Sequence, residues 1–226
     1  MLKIKTVLFD LHETLVYQEN PVSVEEISDH LFSRGYEVSP QQLRASWMFV
    51  AFVDYSKYGY RSWHSFFSRV FWRLKVEVDK KTLGDIVKLL ESNPYKLYSD
   101  AAEAVVKAKK NGLKTAVVTT IAHFQFKKAF KPIKKYFDLI MTGYEARCDK
   151  TNPKMYREVL EILKVKPDEA VMIGDNVQVD ILLPKRLGIH AILLDRKGEN
   201  LKCQAADAVV NDLREALEII LESQIR

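Results

Sequence analysis

Val7-Leu8-Phe9 runs directly into Asp10, and the chain then breaks into the polar His12-Glu13-Thr14. An apolar run closed by a carboxylate is how a buried strand delivers one acid to the rim of a sheet. Further apolar, β-rich runs follow at Lys114–Thr119, Asp138–Thr142, Ala170–Ile173, Ile189–Leu194 and Ala208–Val210. They lack the regular apolar–polar alternation of a strand with one face in water. Such strands belong in parallel sheets whose two faces are both covered by helices. Helical patterns fall between them: Ala101–Asn111 ended by Gly112, Pro153–Leu163, Val179–Leu187, and a closing helix from Asp212 to about Leu221. Pro184 must kink or shorten the third of these.

The segment from Tyr17 to Leu97 has a different character, with helical periodicity and almost no strand-like alternation. Ser23 caps a first helix with Glu25 and Glu26 in its opening turn, and Pro40 opens a second that runs into Trp47–Tyr58. Ser62–Lys75 and Asp79–Glu91 read as a third and a fourth, the last stopped by Asn93-Pro94. The expected architecture is therefore an α/β core, a Rossmann-like parallel sheet with helices on both faces. The core takes residues 1–16 and 98–226, interrupted by an all-helical insert over residues 17–97. That insert also carries the densest aromatic cluster, from Trp47 to Trp72; its Lys57–Arg61 turn is the expected specificity loop.

The 226 residues suffice for a core domain with a modest inserted one. A net charge of +5 is mild, and the lysines between Lys127 and Lys135 alternate with apolar residues at helical spacing, which reads as a solvated helix face. No nucleic-acid partner is expected. No apolar run approaches the roughly 20 residues of a membrane span, and no signal peptide is expected, since its apolar stretch would be the strand carrying Asp10. Cys148 and Cys203 lack metal-ligand spacing and point to a reducing, cytoplasmic location. The spacing leaves monomer and homodimer both open.

In open α/β sheets, ligands bind outside the carboxyl ends of the strands, so polar residues that close apolar strands are the candidates for chemistry. Asp10 closes the first strand, and Thr119, followed by Thr120, closes Val117-Val118. Lys150 sits in Cys148-Asp149-Lys150-Thr151-Asn152-Pro153, and Asp175 in Gly174-Asp175-Asn176, followed by Asp180. Singly, each has a plain explanation: a surface lysine, a helix-capping threonine, a turn aspartate. Their order along the chain is more specific. A strand-Asp, a strand-Thr, a Lys before Asn-Pro and a Gly-Asp-x4-Asp tail resemble the four motifs of the haloacid dehalogenase-like hydrolases.

The resemblance runs from Val7 to about Leu194, with the helical insert where that family carries its first-position cap. It implies an enzyme in which Asp10 is the nucleophile, Lys150 neutralises charge, and Thr119 and Thr120 bind phosphoryl oxygens. It further implies Mg²⁺ held by Asp10, Asp175, Asp180 and the backbone carbonyl of His12. The departure is His12 itself, where the family's phosphatases carry a second aspartate for proton transfer; Glu13 also replaces a glycine often found there. Histidine is a competent acid–base group that ordinarily titrates at about pH 6.5, but a neutral imidazole is a poor acid. Three readings follow. The first is a Mg²⁺-dependent phosphatase of a small phosphate ester, with His12 among its catalytic residues. The second is a metal-free 2-haloacid dehalogenase, which needs no leaving-group proton. The third is a low-turnover protein that binds a phosphorylated ligand.

Overall fold

The structure, a computed structural model, describes residues 4–199 and 201–225. Its strands are β1 (Thr6–Phe9), β2 (Val16–Tyr17), β3 (Lys96–Leu97), β4 (Lys114–Val118), β5 (Leu139–Met141), β6 (Ala170–Gly174), β7 (His190–Leu194) and β8 (Ala208–Val210). Six of them form one sheet in the order β5-β4-β1-β6-β7-β8, and every neighbouring pair is parallel. β1 is central, with Phe9 in register with Val117 of β4 on one side and Ile173 of β6 on the other. Asp10, Thr119 and Asp175 therefore leave the sheet at the same edge, where the strand order reverses.

The helices are α1 (Val24–Ser33), α2 (Pro40–Phe49), α3 (Tyr55–Tyr58), α4 (Trp63–Leu74), α5 (Lys80–Ser92), α6 (Ser99–Lys110), α7 (His123–Phe130), α8 (Gly143–Ala146), α9 (Pro153–Leu163), α10 (Leu183–Arg186) and α11 (Leu213–Ile225). Successive strand residues point to opposite faces of the sheet. Val7 and Phe9 pack with Val117, Ile173 and the apolar sides of α6, α7 and α11. Leu8 packs with Ala116, Val118, Met172 and the Tyr156–Val159–Leu163 side of α9. Both faces are covered, which is why these strands show no alternation. Among the described residues no helix is long and apolar enough to cross a membrane.

Helices α1 to α5 lie between β2 and β3 and bury a cluster of their own, in which Ile27, Leu31, Leu43, Phe66, Phe67 and Ile86 are all inaccessible or nearly so. The expected cap at Ser23 is present, and Asp79 caps α5. Ser23 accepts from the Glu26 N–H (3.1 Å) while the Glu26 carboxylate accepts from the Ser23 N–H (2.7 Å), and Asp79 accepts from Lys81 and Thr82 at the start of α5. Two features depart from the sequence reading. The segment is not helical throughout: its ends pair as an antiparallel ribbon, Val16 opposite Leu97 and Tyr17 opposite Lys96. Two residues per strand are too few for an alternating pattern to register. The helix after Pro40 also does not continue regularly, because Val50–Asp54 forms a π-helical turn before α3. A second wide turn, Val177–Leu182, precedes α10 and absorbs the missing N–H of Pro184, which lies in the first turn of α10.

One buried ion pair ties the core together. Arg196, just beyond β7, donates to both carboxylate oxygens of Asp100 (3.1 and 3.0 Å) and to the Thr14 carbonyl (2.6 Å), and its guanidinium stacks 3.8 Å from the Tyr98 ring. Asp100 also accepts from the Leu213 N–H (2.8 Å) at the start of α11. Removing one partner of a buried pair strands the other charge at a cost of about 3–5 kcal/mol. Arg196→Ala should therefore lower the thermal midpoint by about 10 °C, read by circular dichroism; a midpoint within about 2 °C of the parent would count against this role.

Candidate active site

Asp10 ends β1 with its backbone N–H still on the ladder, donating to the Ile173 carbonyl (2.9 Å). Its side chain is almost fully buried at the bottom of a cleft of about 500 Å³. The Lys150 ammonium donates to Asp10 Oδ1 and lies 2.5 Å from Asp180 Oδ1. Lys150 reaches there because Asn152 caps α9, accepting from the Lys154 N–H (3.0 Å), while Asp149 accepts from the Thr151 N–H (2.7 Å) and fixes the preceding turn. Burial works against the charge on Lys150, but the adjacent Asp10 and Asp180 carboxylates outweigh it and hold the amine protonated well above its ordinary range.

Asp175 and Asp180 complete the cluster. One carboxylate oxygen from each of Asp10, Asp175 and Asp180 can be chosen so that all lie within 4.8 Å of one another. Burial, with the Asp10 charge behind it, pushes Asp175 up to about 6. Asp180 is fully buried and pushed upward for the same first reason, against the pull of Lys150. Three acids thus face a single ammonium, so the site carries more negative charge than its own cation balances. Asp180 is held by the Asn176 N–H (3.1 Å) and lies directly over Gly174: a Cβ on Gly174 would fall 2.4 Å from the Asp180 carboxylate. The sequence reading gives Gly174 no role of its own; its specific duty is to leave room for Asp180.

Thr119 and Thr120 line the same cleft. Thr119 does not cap α7; its hydroxyl accepts from the Ile121 N–H (3.1 Å) and closes the turn ahead of the helix. His12 also lines the cleft, with its imidazole about half exposed, 3.7 Å from Glu13 Oε1 and edge-on to the Tyr95 ring at 5.7 Å. The ring stands outside the carboxylate cluster, so the His12 side chain is not one of its ligand groups. Glu13 adopts a left-handed backbone (φ +56°), which explains why a glycine suits this position, and its carboxylate is steadied by the Tyr98 hydroxyl (2.8 Å).

All the expected site residues, Asp10, His12, Thr119, Thr120, Lys150, Asp175 and Asp180, border this one cleft. His123 does not; burial depresses its imidazole and its ring packs on Phe126. Lys57 lies by a separate hollow beside Tyr144 and Arg147, so the expected specificity loop does not reach the cleft. Phe52 does reach it, carried there by the π-helical turn. No periodic pattern singles that residue out, because the wide turn breaks the period.

A family profile described as haloacid dehalogenase-like hydrolase matches residues 4–188. A pyrophosphatase PpaX from Bacillus mycoides is 29% identical over 177 residues, 77% of this chain and 76% of that protein. Two solved structures share the fold almost end to end. One is an HAD phosphatase from Thermococcus onnurineus (TM-score 0.64, 24% identity, 96% of this chain and 98% of that one). The other is a 2-haloacid dehalogenase from Pseudomonas syringae pv. Tomato DC3000 (TM-score 0.70, 17% identity, 97% and 99%). The chain belongs to the haloacid dehalogenase-like hydrolases.

Gly174→Ala is expected to drive the Asp180 carboxylate off its seat while leaving the sheet intact. Displacement of a site group by about 1 Å can cost about 100-fold in turnover, so hydrolase activity should fall by that order while far-ultraviolet circular dichroism stays unchanged. Full activity in this variant would show that Asp180 needs no such placement.

Proposed function

We propose that this hydrolase is a Mg²⁺-dependent phosphatase of small phosphate monoesters that works through an aspartyl-phosphate on Asp10. The carrying observation is the charge count at the rim, three carboxylates within 4.8 Å against one ammonium. Such a set suits a small divalent cation bound by one or two carboxylates with water completing its shell. Asp10, Asp175, Asp180 and the His12 backbone carbonyl would hold it. Bound there, Mg²⁺ would neutralise charge on the phosphoryl oxygens.

The remaining chemistry falls to the chain's own groups. An Asp10 carboxylate oxygen attacks phosphorus in line, the bond to the ester oxygen breaks, and that oxygen leaves with the bonding pair. Water then attacks the phosphorus of the aspartyl-phosphate, releasing inorganic phosphate and restoring Asp10. Lys150, which donates to Asp10, offsets charge on the transferred group. The Thr119 and Thr120 hydroxyls and the N–H groups of the turn they enter bind the other phosphoryl oxygens. Helices α1 to α5 act as the cap over residues 17–97 that shields this chemistry from water. Two free, half-buried cysteines accord with a cytoplasmic setting.

The His12 substitution favours a second reading, the 2-haloacid dehalogenase, in which halide leaves carbon without a proton. That reaction needs an arginine for the substrate carboxylate, and among the described residues none lines the cleft, where the cation Lys150 is paired with Asp10 and Asp180. With p-nitrophenyl phosphate, turnover should appear with Mg²⁺, vanish with a chelator and fall about 10,000-fold or more in Asp10→Asn. Halide release from chloroacetate without metal would establish the dehalogenase instead, and tight phosphate binding without turnover the binding protein.

His12 also sets the leaving-group dependence. With the carboxylic acid replaced by imidazole, esters of poor leaving groups should suffer most. His12→Asp is expected to raise ethyl phosphate turnover about 10- to 100-fold relative to p-nitrophenyl phosphate. An unchanged ratio of the two rates would mean that His12 takes no part in proton transfer.

A further inference from the structure

The cleft does not end at the phosphoryl site. Past Phe52, Thr120 and Ile121, which border both spaces, a second cavity of about 220 Å³ opens between the helical insert and the sheet. Its walls come from α2, the π-helical turn, α4 and the start of α7. None of its lining side chains carries a charge. The aromatic wall is rigid: Trp63 meets Phe66 edge-on at 5.7 Å and Phe124 at 5.2 Å, and Trp47 meets Trp63 at 6.2 Å. These rings brace one another in edge-to-face pairs, so the cavity is held open by packing.

Two amides give this apolar space a polar side. Gln18 spends its N–H on the Asn93 carbonyl (2.6 Å), which leaves its carbonyl oxygen available. Gln125 sits half-buried on α7, and its side-chain amide makes no hydrogen bond among the described residues. The pattern, a small box walled mainly by aromatic rings with a few uncharged polar groups, suits a neutral ring-bearing ligand. It offers no cation to a second phosphate: Arg61, Lys127 and Lys128 border a neighbouring hollow that shares Trp63 with it.

Resting on the phosphatase reading above, we propose that the substrate is a phosphate monoester whose leaving group is uncharged and aromatic. The phosphoryl group lies at Asp10 and Lys150, and the ring passes Phe52 into the box of Trp47, Trp63 and Phe66. A phenolic leaving group would also need the least help from His12, so the proton chemistry and the pocket point to the same class.

Steady-state kinetics with Mg²⁺ on matched alcohols separates the pocket from leaving-group reactivity. Benzyl and ethyl phosphate release alcohols of similar acidity, and burying the ring should favour benzyl phosphate by about 30-fold in kcat/KM. Acetyl phosphate, too small to reach the cavity, reports the phosphoryl site alone. Ala51→Phe, which fills the cavity, should lower the benzyl-to-acetyl phosphate ratio by about tenfold. Equal rates on benzyl and ethyl phosphate, or inorganic pyrophosphate turned over better than benzyl phosphate, would overturn the aromatic assignment while leaving the phosphatase reading intact. Failure to hydrolyse acetyl phosphate as well would overturn both.

Discussion

The Lys150 ammonium sits between Asp10 and Asp180, two carboxylates that β1 and the turn after β6 bring to one rim. A buried ammonium is costly, and so is each buried carboxylate; only mutual attraction at hydrogen-bond distance offsets those costs. That constraint reaches outward through the fold. It requires the loop before α9 to return to the sheet edge, which Asn152 and Asp149 secure. It requires a bare backbone at Gly174, over which Asp180 lies. It still leaves one carboxylate, Asp175, without an ion-pair partner among the described residues and with its acidity weakened by burial. A site built this way has an imbalance that a divalent cation fits, and the proposed function starts from that imbalance.

The same edge shows how scaffold and chemistry divide their tasks. The sheet is buried on both faces and stapled by Arg196 and Asp100, so the candidate catalytic groups stand on stiff strand ends. The helical insert has its own apolar cluster and meets the cleft with a π-helical turn. That turn presents Phe52 to the cleft, while Asp54 is held by Arg69 (2.6 Å) and Tyr55 by Thr142 (2.9 Å) of the core. The extra residue in the turn costs regular hydrogen bonding and, in return, brings Phe52 and Tyr55 to the seam with the core.

Much of this was legible in the chain itself. Apolar runs without alternation announce strands covered on both faces, and the acid or threonine closing each run marks the rim. The helix starts at Ser23, Pro40 and Asp79 rest on local interactions between residues three or so apart, so they can be read without a fold. The ribbon of β2 and β3 was not legible, since its pairing spans the whole insert and each strand is two residues long. The roles of Phe52 and Gly174 were hidden for a related reason: each depends on how the chain packs in three dimensions.

By itself, the sequence determined the parallel α/β architecture, the place of the helical insert and the residues that gather at the rim. Those follow from strand polarity: every parallel strand ends at the same edge, so a polar residue closing one strand must meet those closing the others. Only the tertiary structure decided that Asp180 shares Lys150 with Asp10, that Arg196 neutralises Asp100 across the core, and that an uncharged aromatic cavity adjoins the site. Each is a contact between segments that no local pattern couples, where packing of distant surfaces fixes which side chains meet.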